Sequence, residues 1–315
     1  MLYIELTAGL VLLLVGGDLL VRGAVSLAQR LGLSPLLIGL TIVGFGTSAP
    51  EMLTSVQAAL AGSPGIAVGN VVGSNIANIL LILGLAALLS PIVVARDTFV
   101  RDGTVLALAT VGVALLALGG TLTPLIGIAL LAALAAYLAY AWRADRAAPA
   151  IDSDLASPQW PRAAPLAVGV TLGGLVLTVL GASLLVSSAV ELARGWQVSD
   201  SLIGLTVVAV GTSLPELATS VVAALRRQGA VAFGNVVGSN IFNLLGILGV
   251  TALVRTVPIP PEILTRDIWV MLGATALLVV MAITGWRITR TEGTVLMLLY
   301  AAYIGAMALS GGGMV

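Results

Sequence analysis

Apolar stretches long enough to cross a membrane fill almost the whole chain of 315 residues. A membrane-spanning helix needs about 20 mostly apolar residues, because lipid offers no partner to its backbone N–H and C=O groups. The sequence therefore predicts an all-α membrane protein with ten transmembrane helices. The ten predicted spans cover residues 4–29, 35–61, 66–89, 103–119, 123–142, 164–194, 200–226, 231–254, 268–285 and 293–310.

The charge content agrees with a membrane protein and excludes several function classes. Only 9% of the residues are charged, whereas a soluble domain has roughly 25%. The 14 acidic and 14 basic residues balance, so no basic face favours a nucleic-acid partner. The chain has no Cys and no His, which excludes thiol nucleophiles and imidazole acid–base chemistry. We therefore expect neither an enzyme nor a bound cofactor.

One long polar break divides the chain into two halves of similar size. Residues 143–162 are rich in charge and contain Pro149, Pro158 and Pro161, which is typical of a linker rather than a helix. The predicted organisation is a first five-helix repeat at 1–142, a linker at 143–162 and a second five-helix repeat at 163–315.

The arginines predict the orientation in the membrane, because cytoplasmic loops carry an excess of positive charge. With ten spans, ten arginines lie on one face and three on the other. The ten are Arg30, Arg96, Arg101, Arg143, Arg146, Arg162, Arg226, Arg227, Arg287 and Arg290, and the three are Arg194, Arg255 and Arg266. This predicts a multi-pass protein of the plasma (inner) membrane with a cytoplasmic linker and both termini outside.

A long internal repeat relates the two halves. The segment LIGLTIVGFGTSAPEMLTSVQAAL at 37–60 aligns without gaps on LIGLTVVAVGTSLPELATSVVAAL at 202–225. The octapeptide GNVVGSNI occurs intact at 69–76 and at 234–241, again at an offset of 165. Gly, Pro, Glu and Asn match in register, which indicates a duplication. Because each half has an odd number of spans, we expect two inverted repeats related by a pseudo-two-fold axis in the membrane plane, as in secondary transporters.

The repeat places one acidic residue inside an apolar span of each half, Glu51 and Glu216. An acidic residue at the centre of a span costs roughly 2.5–3.5 kcal/mol to insert. No Lys or Arg lies within either repeat core to neutralise it. Two such carboxylates call for protons or cations. The alternative, two protonated Glu residues with a structural role, explains less well why Glu recurs in the same motif.

Oxygen-bearing groups surround each of these carboxylates in sequence. Hydroxyl groups lie three and four residues before each Glu, and the spacing of a helix places them on one side of the turn. A proline directly precedes each Glu and frees backbone carbonyl groups of the preceding turn. Ser and Asn at a spacing of four follow in the next span. These residues are Thr47, Ser48, Pro50, Ser74 and Asn78 in the first half and Thr212, Ser213, Pro215, Ser239 and Asn243 in the second.

The octapeptide also supplies residues that we assign a structural role. Asn70, Asn75, Asn235 and Asn240 lie on other helix faces or further along the span, so we expect them to form interhelical hydrogen bonds.

This inventory of carboxylate, hydroxyl, amide and carbonyl oxygen suits hard cations. Ca²⁺ accepts about 6–8 oxygen ligands in flexible geometry, while soft metals favour Cys or His. Two carboxylates balance one divalent ion, and the same cage can hold several Na⁺ ions instead. A site that cannot hold both loads at once is the basis of exchange.

The motifs GTSAPE…GNVVGSNIAN and GTSLPE…GNVVGSNIFN resemble those of the cation/calcium exchanger superfamily, and most closely its prokaryotic sodium/calcium exchanger branch. The resemblance is close over 37–84 and 202–249, and span count and inverted halves extend it over the chain. It implies that spans 1 and 6 slide against the remaining bundle. It also implies ion ligands at the matching positions, which are Ser48, Glu51, Ser74, Asn78, Ser213, Glu216, Ser239 and Asn243. Backbone carbonyl groups of Gly44, Thr47, Ala209 and Thr212 would join the sodium sites. Some relatives carry Asp where this chain has Asn243, which leaves the ion stoichiometry and proton participation open.

We therefore expect a secondary antiporter that exchanges Na⁺ for Ca²⁺ in the lipid bilayer by alternating access. Expelling Ca²⁺ from a negative interior costs about 4.6 kcal/mol per 100 mV, which two entering Na⁺ ions only cancel. Three or more would let the potential drive export, so we expect electrogenic exchange. The alternatives are an antiporter that exchanges H⁺ for Ca²⁺ or another divalent cation, and less plausibly a cation channel. The sequence indicates no protein partner.

Overall fold

The computed structural model describes residues 2–147, 161, 163–195 and 211–311, and these residues are almost entirely helical. Four two-residue strands lie in the connections. The helices are α1 (Leu2–Leu31), α2a (Pro35–Thr47), α2b (Ala49–Leu60), α3 (Gly65–Leu89), α4 (Arg96–Ala117), α5 (Pro124–Ala147), α6 (Ala164–Gly195), α7 (Leu214–Leu225), α8 (Gly229–Val254), α9 (Ile263–Ile283) and α10 (Arg290–Gly311). The strands are β1 (Ile92–Val93), β2 (Thr121–Leu122), β3 (Val257–Pro258) and β4 (Arg287–Ile288).

Seven of the described helices are long and apolar enough to cross a membrane, and the bent pair α2a and α2b would make eight. These helices make the chain a multi-pass membrane protein. Each predicted span has a helix at its position. For the predicted span 200–226 the structure describes only residues 211–226, which contain α7. Residues 196–210, which include Ala209, lie outside the described part of the chain.

Two helices begin well before the predicted spans because charged residues in their first two turns are paired within the protein. We placed the fourth span at 103–119 and the ninth at 268–285, but α4 begins at Arg96 and α9 at Ile263. In α4, Arg101 Nε donates to Asp102 at 2.6 Å and Tyr137 Oη donates to the same carboxylate at 3.1 Å. In α9, Asp267 accepts equivalent bonds from Arg266 at 2.7 Å and from Tyr303 at 3.1 Å. Each carboxylate is thus satisfied inside the protein.

Helix α5 continues past the predicted boundary between the first half and the linker. Helix α5 runs to Ala147, so the chain is still helical where we placed the start of a linker at residue 143. Arg and Ala are good helix formers, and the first proline of the break comes only at Pro149. Asp145 on this last turn accepts bonds from the backbone N–H and the hydroxyl of Ser34, both at 2.7 Å. Ser34 in turn caps the N-terminus of α2a, which fixes the start of the helix that leads to Glu51.

Helices α1 and α6 form the most extensive helix pair of the described structure. They run antiparallel, and glycines at their crossing bring the two backbones into contact. A Cβ atom on Gly16 would meet the backbone of Thr178, and one on Gly174 would meet the backbone of Leu20. Only glycine permits this approach, as in other membrane helix pairs with small residues at the interface.

The core of the molecule consists of α2, α3, α7 and α8. Helices α3 and α8 are the most buried of the described spans. Helix α2a packs directly against α8. A Cβ atom added to Gly234 would clash with the backbone of Leu36, and one added to Gly238 would clash with the backbone of Leu40. Helix α5 packs outside α8 and helix α10 packs outside α3.

Two short antiparallel ladders join the halves at opposite ends of the bundle. Strand β1 pairs with β4, with Ile92 opposite Ile288, and strand β2 pairs with β3, with Thr121 opposite Pro258. Each ladder therefore connects a loop of the first half to a loop of the second. An alternating path through ten spans would place the two loops of each ladder on the same membrane face.

Candidate ion-binding site

A break in the second helix positions Glu51. Helix α2a ends at Thr47 and α2b begins at Ala49, with a bend of 44° between them. Ser48 has φ −82° and ψ 6°, outside helical geometry. Pro50 lies in the first turn of α2b, where its missing N–H leaves no bond unmade. Glu51 is therefore the third residue of a new helix near the middle of the span.

The second half repeats this arrangement around Glu216. Ser213 has φ −90° and ψ 9° and immediately precedes α7, which begins at Leu214. Pro215 occupies the first turn and Glu216 follows as the third residue. The break at the proline was predicted from both sequence motifs, and both described halves contain it.

The two carboxylates are buried and each is held by the opposite half of the chain. Glu51 and Glu216 are each 1% exposed. Ser48 Oγ donates to Glu216 Oε1 at 2.8 Å, and Ser213 Oγ donates to Glu51 Oε1 at 3.2 Å. We expected each hydroxyl to accompany the carboxylate of its own helix turn, and this expectation is wrong for the two serines. The reason is the break, because a residue at a break does not share the face of the helix that follows it.

The second oxygen of each carboxylate has no partner among the described residues. Glu51 Oε2 and Glu216 Oε2 are buried and accept no hydrogen bond. Asn78 Oδ1 and both polar atoms of the Asn243 side chain are buried and unpaired in the same way. A buried polar atom without a partner costs roughly 1–3 kcal/mol, and more when the group is charged. Four residues thus present buried oxygen atoms without a partner in the described structure.

Further oxygens complete this cluster around the carboxylates. Ser74 and Ser239 are buried, and Ser74 Oγ lies 3.5 Å from Ser213 Oγ. Ser239 Oγ donates to the carbonyl oxygen of Gly44 at 3.1 Å, and Thr47 Oγ1 lies 3.3 Å from both that carbonyl oxygen and Asn235 Oδ1. The structure therefore links the two carboxylates to Ser48, Ser213 and Ser74, and links Ser239 to Gly44 across the halves. Ala209 lies outside the described residues.

The asparagines of the octapeptide form hydrogen bonds to backbone carbonyl groups of the site helices. Asn70 Nδ2 donates to the backbone carbonyl of Glu51 at 3.2 Å, and Asn235 Nδ2 donates to that of Glu216 at 3.2 Å. Asn240 Nδ2 donates to the backbone carbonyl of Asn75 at 3.3 Å. These are the interhelical bonds that we expected. Asn75 departs from this pattern, because its own Nδ2 donates within α3, to Val71 O at 2.7 Å.

Three turns of π-helix lie next to the site and were not predicted. One covers Gly39–Val43 in α2a, directly before Gly44. The other two cover Asn78–Leu83 in α3 and Phe242–Ile247 in α8, so that one begins at Asn78 and the other next to Asn243. Such widened turns are frequent at functional sites. The three segments consist mostly of apolar residues, so the hydropathy pattern carries no signal for them.

The chemistry available at this site is that of oxygen ligands. No group of three His, Cys, Asp or Glu side chains comes together anywhere in the part of the chain that the structure describes. The site instead combines two carboxylates with hydroxyl, amide and carbonyl oxygens. Hard cations such as Ca²⁺ and Na⁺ take such ligands, and two carboxylates match the charge of one divalent ion.

Comparison with known proteins points to one family. A family model described as "Sodium/calcium exchanger protein" matches residues 1–143 and 166–309. The chain is 40% identical to the putative antiporter CaxA of Alkalimonas amylolytica over 94% of this chain and 95% of that protein. It is 35% identical to the sodium/calcium exchanger MaX1 of Methanosarcina acetivorans over 96% and 97% of the two chains.

A solved structure gives the same result for the fold. The structure of the sodium-calcium exchanger NCX_Mj soaked with 10 mM Na⁺ and without Ca²⁺ superimposes with a TM-score of 0.86 at 32% sequence identity. The superposition covers 97% of this chain and 99% of that one.

Proposed function

Because the chain belongs to the sodium/calcium exchanger family, we propose that it is a secondary antiporter that exchanges Na⁺ for Ca²⁺ across the membrane by alternating access. The observation that carries this proposal is the pair of buried carboxylates, Glu51 and Glu216, each with one unpaired oxygen. An ionised carboxylate without a counter-charge is unstable in an apolar interior. A cation that binds between the two carboxylates would compensate the negative charge of both.

Exchange follows from charge balance at this single site. One Ca²⁺ ion neutralises two carboxylates, and so do two Na⁺ ions. A further Na⁺ would be held by neutral oxygens, such as the carbonyl groups of Gly44, Thr47, Ala209 and Thr212. Because the two loads use the same carboxylates, Ca²⁺ and Na⁺ compete, and each must leave before the other binds. The proposed stoichiometry is three or more Na⁺ per Ca²⁺, which makes transport electrogenic.

The side-chain ligands in this proposal are the oxygens that surround the two carboxylates. Asn78 Oδ1 and Asn243 Oδ1 are buried and unpaired, as a ligand oxygen must be before its ion arrives. The hydroxyl groups of Ser48 and Ser213 each contact one carboxylate and can turn a lone pair toward an ion. Ser74 and Ser239 complete the set from α3 and α8.

The proposed architecture is ten spans in two inverted repeats, residues 1–142 and 163–315, joined by a cytoplasmic linker within 143–162. Contacts that recur at the repeat offset of 165 support it. Thr110 meets its counterpart Thr275 between α4 and α9, with 3.4 Å between the hydroxyl oxygens. The bonds from Ser48 to Glu216 and from Ser213 to Glu51 exchange under the same offset. In this arrangement both termini lie outside the plasma membrane.

Alternating access in this proposal is a sliding of α1 and α6 against the other helices. These two helices pack on each other through glycine-mediated contacts and touch the core less extensively. A polar contact links the pair to the core, because Asp18 on α1 binds Arg22 in its own helix and Arg226 at the end of α7. The pair with Arg22 follows from a spacing of four residues on one helix, whereas the bond to Arg226 depends on tertiary packing.

The decisive experiment is Na⁺-gradient-driven ⁴⁵Ca²⁺ uptake into proteoliposomes. We expect Glu51→Gln and Glu216→Gln each to abolish uptake, because either change halves the charge that holds Ca²⁺. Glu262→Gln is the matched control, because Glu262 is exposed in the connection before α9 and should leave uptake unchanged. Full uptake in both site variants would refute the proposed site.

Two further arms of this experiment separate the alternative functions. A carrier accelerates ⁴⁵Ca²⁺ uptake when the opposite side holds Na⁺ or Ca²⁺, whereas a channel does not. Uptake driven by a pH gradient in Na⁺-free buffer would identify an antiporter that exchanges H⁺ for Ca²⁺. We expect counterflow, and no uptake driven by a pH gradient in Na⁺-free buffer.

A further inference from the structure

The asparagines of the duplicated octapeptide form bonds with proposed ion ligands, and these bonds are not the same in the two halves. Asn78 Nδ2 donates to Asn240 Oδ1 at 2.9 Å. The counterpart of this bond at the offset of 165 would join Asn243 Nδ2 to Asn75 Oδ1. Both of these atoms are buried and have no partner among the described residues. The bond from Asn78 to Asn240 is therefore formed, whereas its counterpart from Asn243 to Asn75 is not.

A second pair of bonds shows the same asymmetry. Thr47 Oγ1 lies 3.3 Å from Asn235 Oδ1, to which it can donate. The counterpart donor, Thr212 Oγ1, is buried without a partner in the described structure. The bonds between serine and carboxylate follow the same direction, because the one from Ser48 is 0.4 Å shorter (2.8 against 3.2 Å) than the one from Ser213. In all three cases the donor on the first half makes the closer contact with the second half.

Burial differs between the halves as well. Helix α2b buries three side chains, Glu51, Ser55 and Ala59, whereas its counterpart α7 buries eight of the same number of residues. In the proposed topology α2b leads from the site to the outer face and α7 leads from the site to the cytoplasm. Helix α7 is therefore the more closely packed of the two, as we expect of a state in which the cytoplasmic path is closed and the outer path is open.

We propose that Asn240 and Asn75 are positioning residues that alternate: Asn240 orients Asn78 when the site faces outward, and Asn75 orients Asn243 when it faces inward. This inference rests on the proposed function. A side-chain amide can ligate a cation only through its oxygen, so its nitrogen must be turned away and bonded elsewhere. Asn240 Oδ1 accepts that nitrogen for Asn78 and leaves Asn78 Oδ1 free for the ion.

The exchange of bonds follows from inverted symmetry. We take the inward-facing state to be the outward-facing one with the bonding of the two inverted repeats exchanged as α1 and α6 slide. The bond from Asn78 to Asn240 then opens, and the bond from Asn243 to Asn75 forms. Asn75 Oδ1 can accept the bond from Asn243 Nδ2, because it is unpaired while Asn75 Nδ2 is bonded to Val71 O within α3. One amide is thus fixed as a ligand in each state and the other is released.

The test compares Asn240→Ala with its mirror variant Asn75→Ala at each membrane face. Right-side-out vesicles expose the outer face and inside-out vesicles expose the cytoplasmic face. The measured quantity is the half-saturating ⁴⁵Ca²⁺ concentration for Na⁺-gradient-driven uptake. We expect Asn240→Ala to raise it about fivefold at the outer face only, and Asn75→Ala to raise it about fivefold at the cytoplasmic face only, the size expected for one lost hydrogen bond.

The mirror design separates a positioning role from a merely structural one. Equal shifts at both faces, no shift, or the reversed pattern would overturn the inference. Where an alanine variant fails to yield a monodisperse protein, Asn240→Ser and Asn75→Ser replace it, because a serine hydroxyl is too short to reach the same partner. Failure of the proposed function itself is distinguishable, because the wild-type protein would then show no Na⁺-dependent uptake at either face.

Discussion

At the scale of single residues, each half of the chain contributes a serine hydroxyl group that binds the carboxylate of the other half. Ser48 and Ser213 hold the carboxylate of the opposite repeat, so neither Glu is oriented by its own helix alone. The site has two carboxylates and, at Asn243, a neutral amide. In the proposed function, the number of formal charges, two rather than three, is the residue-level feature that would set how tightly a divalent ion is held.

We expect Asn243→Asp to strengthen Ca²⁺ binding at the outer face about tenfold, because it adds a third negative charge next to the ion. The gain should diminish in acid as the added carboxylate is protonated. The measurement is the half-saturating Ca²⁺ concentration in right-side-out vesicles, at neutral and at mildly acid pH.

Asn78→Asp is the matched control for this prediction. Its new carboxylate would face Asn240 Oδ1, which now accepts a bond from Asn78 Nδ2, so two oxygens would repel each other. We therefore expect a smaller gain. Equal gains in the two variants would contradict the different environments of Asn78 and Asn243.

The sequence predicted which residues would gather but not how they would bond. Glu51, Glu216 and their neighbours stand out because apolar spans rarely contain them and because the motif occurs twice. The crossed bonds from Ser48 and Ser213 depend on how the two repeats pack. The different bonding of Asn78 and Asn243 is also invisible in sequence, since both lie in nearly identical motifs.

At the scale of helices, the close pair α1 and α6 depends on glycines at specific positions. Gly174 faces the backbone of α1, whereas its neighbour Gly173 has open space where a Cβ would stand. Helical periodicity separates the two faces, although the residues are adjacent in sequence.

We expect Gly174→Ala to destabilise the protein by about 1–3 kcal/mol, because the added methyl group would force two packed backbones apart. Gly173→Ala should leave stability unchanged or raise it slightly. The apparent melting temperature of detergent-solubilised protein, followed by size-exclusion chromatography, gives the comparison. A similar loss in both variants would mean that the close packing of α1 on α6 is not what constrains this position.

Helix existence was predictable from the length and hydropathy of each segment, and the break in α2 was predictable from Pro50. The π-helical turns at Asn78–Leu83 and Phe242–Ile247 were not, because they reflect packing between helices rather than a residue pattern. The two-residue strands were also missed, since a strand of two residues has no periodicity to detect.

At the scale of the whole molecule, the proposed stoichiometry makes net charge movement the main consequence. Exchange of three Na⁺ for one Ca²⁺ carries one positive charge per cycle in the direction of Na⁺. Moving one charge through 100 mV involves about 2.3 kcal/mol. The membrane potential should therefore act on the Ca²⁺ gradient that the protein can maintain.

We expect an imposed potential of 100 mV to change the equilibrium Ca²⁺ ratio across proteoliposomes about 50-fold at a fixed Na⁺ gradient. A negative interior should favour Ca²⁺ export and a positive interior should oppose it. Potassium gradients with valinomycin set the potential, and choline in place of Na⁺ is the control. A Ca²⁺ ratio that ignores the potential would indicate an exchange of two Na⁺ or two H⁺ per Ca²⁺.

The two small ladders have a consequence for how the chain is made. Strand β1 leaves the ribosome almost 200 residues before its partner β4, and β2 leaves more than 130 residues before β3. A nascent chain that has inserted only its first five spans therefore has unpaired strand edges at both membrane surfaces. Translation of the second half supplies the partners, so the first half reaches its final form only near the end of biogenesis.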